Sequence, residues 1–165
     1  MKNRSINILI VAFIVIGMMA VALIFFLDKA EEDFSKDITV SEEGVTESIL
    51  SVKELKLNPT ESREYSINLV CTASGTYEIT LDYEEKSDGG MKHFIEVTVK
   101  ANESIVYEGG LQELLDSDKK IVFESELHEK EQLPISISYH MPREVGNEAQ
   151  RTYADFDVHL EIKKA

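Results

Sequence analysis

Residues 77–83 have the sequence YEITLDY, and this stretch decides the fold class. Its apolar and aromatic side chains, Tyr77, Ile79, Leu81 and Tyr83, alternate with three polar ones. Such an alternation with period two places the apolar side chains on one face of an extended strand and the polar ones on the other. We therefore predict a β-strand here, with one face buried in a core and the other in contact with water.

The same alternation recurs through residues 45–165, with turn-forming residues between the alternating segments. It predicts one short helical turn at residues 110–115 and a tight hairpin turn at Ser87–Gly90. Strands that each carry one apolar face must bury those faces against one another. We predict an all-β fold, a single two-sheet β-sandwich of jelly-roll or immunoglobulin-like type. The predicted strands lie at residues 65–71, 77–83, 93–99, 105–107, 121–127, 133–141 and 153–162.

An apolar segment precedes this domain. Residues 8–27 carry no charge, and at about 1.5 Å per residue a helix of this length crosses the hydrocarbon core of a bilayer. Lys2 and Arg4 lie before it and acidic residues follow it, which predicts a cytoplasmic N-terminus and an external remainder. We therefore expect residues 6–27 to contact the membrane. Residues 1–27 are either a cleaved signal peptide, for which Ala20 and Ala22 have suitable spacing, or a retained anchor.

Residues 28–44 contain seven acidic residues and two lysines. We predict an acidic linker here, with one short strand at residues 34–40. The β-sandwich domain is then predicted to span residues 45–165. Cys71 is the only cysteine, so no disulfide forms within the chain, and its place in a strand pattern indicates a small apolar core residue.

The charge balance excludes one class of partner. The net charge is −14, and removing the two positive charges of Lys2 and Arg4 leaves −16 on residues 28–165. A surface this acidic repels phosphate backbones, so we predict no nucleic-acid partner. Divalent cations are expected to bind weakly to scattered carboxylates, without a formed site.

The sequence offers few residues for catalysis. His128-Glu129-Lys130-Glu131-Gln132 resembles the HExxH zinc-protease signature, but Gln132 stands where the second histidine should be. Moreover, the stretch lies between two predicted strands, whereas the signature requires a helix. The other histidines, His93, His140 and His159, fall within predicted strands. We therefore expect no enzyme, and we assign no catalytic, cofactor-binding or metal-ligating residue.

Several segments together resemble the TasA/camelysin family of exported bacterial β-sandwich proteins. They are the apolar leader that ends at Phe26-Leu27-Asp28, LNPTES at 57–62, VYEGGL at 106–111, and MPREVGNEAQ at 141–150 before the terminal strand at 154–162. The resemblance implies secretion, and it implies a role in or beside the fibres of a biofilm matrix. The chain departs from the family at residues 22–26, ALIFF, where members carry glycine and small residues, and this bears on cleavage of the leader.

The sequence thus favours an exported structural protein of the cell surface or extracellular matrix. An exposed sheet edge can accept a strand from a neighbouring molecule, and residues 34–40 are a candidate donor that can equally add to their own sheet. We expect self-association, or association with a related matrix protein, through sheet edges. The alternative is a membrane-anchored extracellular domain for adhesion or signalling, and the third possibility is a metallopeptidase.

Overall fold

The computed structural model describes residues 34–117 and 119–165, and strands dominate both ranges. One short helix, α1 (Leu111–Asp116), lies among them, together with 3-10 turns at Met91–Phe94 and Asn147–Ala149. The strands are β1 (Phe34–Val40), β2 (Val45–Leu55), β3 (Ser62–Cys71), β4 (Gly75–Gly89), β5 (Glu96–Ala101), β6 (Ser104–Gly110), β7 (Ile121–Leu127), β8 (Gln132–His140) and β9 (Tyr153–Lys164).

The strands form two sheets. One has the order β2-β9-β4-β7, and the other has the order β1-β3-β8-β5-β6. All neighbours pair antiparallel except β1, which lies parallel to β3. Without β1, the two four-stranded sheets have the alternating order of a jelly roll. The prediction of an all-β, two-sheet sandwich is confirmed, and the strand order distinguishes it from the immunoglobulin arrangement.

The core lies between the sheets, and the side chains of β4 that enter it are those that the alternation predicted. Tyr77, Ile79 and Leu81 of β4 are fully buried, while Glu78 is exposed on the opposite face. On β9, alternate residues from Phe156 to Ile162 are buried in the same way. Removing apolar surface from water stabilises the folded state by roughly 25 cal/mol per Å². The burial of these side chains therefore provides the main stabilisation of the sandwich.

The predicted hairpin at Ser87–Gly90 is wrong. Strand β4 continues to Gly89 and pairs with β9 and β7, whereas β5 belongs to the other sheet. The chain leaves β4 at Gly90, whose φ of +84° suits glycine, and crosses between the sheets through the 3-10 turn. His93 therefore lies in that turn and not in a strand. A turn signal marks where the direction changes, but it does not show which strand becomes the partner.

The short strand predicted within residues 28–44 is β1, and it forms one edge of the five-stranded sheet. It pairs with β3 from Phe34 opposite Tyr65 to Val40 opposite Cys71. Phe34–Ala165 forms one compact unit, which includes β1. The apolar segment at residues 8–27 lies outside the described residues. Within residues 34–117 and 119–165, no helix is long and apolar enough to cross a membrane.

Candidate interaction edges and side-chain clusters

Each sheet ends in two edge strands. The five-stranded sheet ends at β1 and β6, and the four-stranded sheet ends at β2 and β7. An edge strand has backbone N–H and C=O groups on one side without a neighbouring strand, so it can pair with an added strand. These edges are the features of the fold on which the predicted strand addition depends.

Strand β1 pairs with a neighbouring strand along one side only. Ile38 and Val40 insert their side chains into the core. The backbone N–H and the hydroxyl of Thr72 both donate to the Val40 carbonyl oxygen, each at 2.9 Å. On the outer face, Asn68 Nδ2 donates to Asp37 Oδ1 at 3.3 Å. A parallel pair is slightly less stable per residue than an antiparallel one, and the buried side chains of Ile38 and Val40 add to the attachment of β1.

The β2 edge is irregular. Its pairing with β9 shifts between Ser48 and Leu50 and again between Val52 and Leu55, which marks two bulges. Bulges bend and twist an edge strand, which hinders the addition of another strand. Lys36 of β1 also reaches this edge, with Nζ 3.1 Å from Glu47 Oε1. The β2 edge is therefore protected against strand addition.

The two remaining edges carry isolated apolar side chains. Ile105 of β6 is 56% exposed and Val122 of β7 is 52% exposed. Single exposed apolar residues are common on protein surfaces. They do not by themselves identify a partner.

The HExxH-like stretch forms a turn. The backbone N–H of His128 donates to Glu131 Oε2 at 2.7 Å, the N–H of Glu131 donates to the His128 carbonyl oxygen, and Lys130 has a φ of +68°. A turn of this kind does not place residues 128 and 132 on one helix face, as the zinc-protease signature requires. His140 lies elsewhere, on β8, with Nδ1 2.8 Å from the Ser62 hydroxyl oxygen.

His159 belongs to a cluster that its place in the sequence did not predict. On the outer face of the four-stranded sheet, its Nε2 lies 3.1 Å from Glu84 Oε2. Lys86 Nζ lies 2.7 Å from Glu84 Oε1 and 3.4 Å from Asp157 Oδ2. The pKa of Glu84 is lowered, first by Lys86 and then by His159. A hydrogen bond from the Ser51 hydroxyl, and then Lys86, lowers the pKa of Asp157.

The sequence by itself indicates only two of the three members of this cluster. Asp157 and His159 are two residues apart on one strand, so they share a face. The third member of the cluster, Glu84, is distant in the sequence, and the pairing of β4 with β9 brings it opposite Asp157. Only that register identifies which of the many acidic residues joins the pair.

A second cluster surrounds a buried lysine. Lys92 is 6% exposed, and its Nζ lies 2.8 Å from Glu85 Oε1, 3.2 Å from Asp88 Oδ2 and 2.6 Å from Asp116 Oδ1. Burial alone lowers the pKa of Lys92, but its hydrogen bonds to Asp116, Glu85 and Asp88 outweigh burial and raise that pKa. The cluster joins the end of β4, the first 3-10 turn and α1.

Comparisons with known proteins do not assign a family. No protein-family model and no curated protein matches the chain. Among solved structures, a β-glucosidase from Kluyveromyces marxianus has 13% identity and a TM-score of 0.38, with 66% of this chain and 11% of that one covered. The CUB1-EGF-CUB2 domains of rat MASP-1 have 12% identity and a TM-score of 0.39, covering 76% and 42%.

The lysozyme inhibitor PliG from Aeromonas hydrophila has 14% identity and a TM-score of 0.35, covering 78% of this chain and 99% of that one. The chain spans less than half the length of the first two structures. Likenesses this distant do not carry a function over to this chain, and the resemblance to the TasA/camelysin family stays a prediction.

Proposed function

We propose that this chain is an exported structural protein of the cell surface or extracellular matrix that associates with itself or a related matrix protein by strand addition. The observation that carries the proposal is the position of β1. It is the first strand of the folded unit, it pairs on one side only, and it follows an acidic segment. A strand in this position can be exchanged without dismantling the antiparallel sheets.

Exchange of β1 between copies preserves every contact that β1 makes within one chain. The β1 of a second copy presents the same Ile38 and Val40 side chains to the same core positions and the same backbone groups to β3. Because the contacts are identical, the free-energy cost of such swapping is low. The charge of −16 on residues 28–165 opposes close approach, so association should strengthen as ionic strength rises.

Cysteine cross-linking tests the exchange. In a Cys71→Ala background, Thr39→Cys and Val70→Cys are placed in separate chains, because these residues are register partners between β1 and β3. We expect a disulfide between the two chains after they are mixed under conditions that give filaments in electron micrographs. Ser66→Cys and Ser136→Cys are the matched control, since they pair β3 with the internal strand β8 and should not cross-link separate chains.

If filaments form but Thr39→Cys and Val70→Cys link only within one doubly substituted chain, β1 exchange is wrong. If neither filaments nor cross-linked chains form, the alternative function is favoured. That alternative is a membrane-anchored extracellular domain for adhesion or signalling, and its support is the uncharged run at residues 8–27 with five large apolar residues at its end.

A further inference from the structure

The outer face of the four-stranded sheet brings an imidazole and two carboxylates together on two central strands. Asp157 and His159 project from β9, and Glu84 of β4 lies directly opposite Asp157. One potential ligand atom from each residue lies within 4.8 Å of the other two. Strand β9 is paired on both sides, with β2 and β4, so its backbone is held more firmly than a loop would be.

We propose that Glu84, Asp157 and His159 form a binding site for a first-row divalent transition metal such as Zn²⁺. One imidazole nitrogen with two carboxylate oxygens is a donor set that zinc accepts, whereas Ca²⁺ and Mg²⁺ prefer oxygen ligands alone. Zinc bonds of about 2.0–2.2 Å require these atoms to approach one another by side-chain rotation, without movement of the strands. Three protein ligands leave a fourth position for water.

The cluster already holds a positive charge. Like charges directly opposite on neighbouring strands destabilise a sheet, and Lys86 Nζ offsets this repulsion by its position between Glu84 and Asp157. The Lys86 side chain is 44% exposed, so it can turn into solvent when a metal takes its place. The Ser51 hydroxyl, which hydrogen-bonds Asp157, is placed as an outer-shell group that orients a ligand.

Metal binding at this cluster is independent of strand addition, because β4 and β9 are not exchanged with β1. Isothermal titration of ZnCl₂ into the full chain, purified in mild detergent at pH 7.5, tests it. We expect one zinc per chain, with affinity reduced at least about tenfold in Glu84→Gln and in His159→Gln, since even the loss of an outer-shell group costs about 10–100-fold. His140→Gln, on the other sheet, should leave binding unchanged.

A second pair of variants separates this site from diffuse attraction to an acidic surface. Lys86→Met removes the competing ammonium and should tighten zinc binding several-fold. Lys163→Met changes the net charge equally but removes a lysine that pairs with Glu161, at 2.6 Å, so it should have little effect. Equal effects of the two lysine variants, binding that ignores His159→Gln, or no zinc binding at all would overturn the proposal. Near-UV circular dichroism checks that each variant is folded.

Discussion

The charge of Lys92 is constrained by its environment. Its ammonium group lies among Glu85, Asp88 and Asp116, and it is almost completely buried. The desolvation of a charged group in such a position is offset only when its hydrogen bonds are satisfied. Lys92 therefore contributes to stability only while the carboxylates around it remain ionised.

We predict that Lys92→Met lowers the free energy of unfolding at pH 7 by about 1.5–3 kcal/mol, the usual contribution of hydrogen bonds to charged groups. The pKa of Asp88 is lowered, first by the Gly90 backbone N–H and then by Lys92, and the pKa of Asp116 is lowered first by Lys92. Carboxylates with lowered pKa stabilise the fold above about pH 4, and this contribution is lost as pH falls through their folded pKa values. The difference between wild type and variant should therefore narrow from pH 7 to pH 3.

Urea unfolding followed by near-UV circular dichroism measures this difference at each pH. Lys119→Met is the matched control, because Lys119 pairs with Glu113 at 2.7 Å but is 49% exposed. An exposed ion pair contributes little, so the control should change stability by less than about 0.5–1 kcal/mol. A difference between wild type and Lys92→Met that stays constant with pH would contradict the role given to the carboxylates.

Among the elements, the β5–β6 hairpin is the connection with the simplest turn. Ala101 pairs with Ser104, so the loop contains only Asn102 and Glu103. Both have positive φ, +46° and +69°, as in a type I′ turn, which matches the right-handed twist of the strands. Asparagine tolerates this conformation, whereas glutamate pays a steric cost for it.

We predict that Glu103→Gly stabilises the protein by about 0.5–1 kcal/mol, because glycine adopts a positive φ without that cost and Asn-Gly is the preferred type I′ pair. Thermal unfolding measures the shift. Glu108→Gly, in the same hairpin but within β6, should instead destabilise the strand by a similar amount. If both substitutions lower the melting temperature, the turn type is wrong.

For the whole molecule, the charge step across residues 8–27 predicts which side of the membrane the sandwich occupies. Positive charges precede the apolar run and acidic residues follow it, so residues 34–165 should lie outside the cytoplasm. Protease added to intact cells should digest the sandwich, while a cytoplasmic marker protein survives. A reporter fused after Ala165 that is active only in the cytoplasm would reverse this topology.

Local sequence was enough to predict most of the strands, but it gave no separate strand for β2 (Val45–Leu55) and began β5 at His93 instead of Glu96. The alternation at Tyr77–Tyr83 predicted which side chains enter the core, because side-chain direction in a strand repeats every two residues whatever the partner. Residues 121–127 were predicted as a strand and form β7, and the helical turn predicted at residues 110–115 is α1. These features depend on neighbours in the chain, which the sequence displays directly.

Partners distant in the chain were decided by the tertiary structure. Glycines at 89 and 90 indicated a turn, but only the pairing of β4 with β9 showed that the chain crosses to the other sheet there. The same pairing brings Glu84 to Asp157 and His159, and the burial of Lys92 depends on α1 packing near the end of β4. The sequence alone determined that the surface would be acidic, because it contains so many carboxylates. Which of these carboxylates lie close together was decided by the register between distant strands. That register is a property of the packed sheets and not of any local segment.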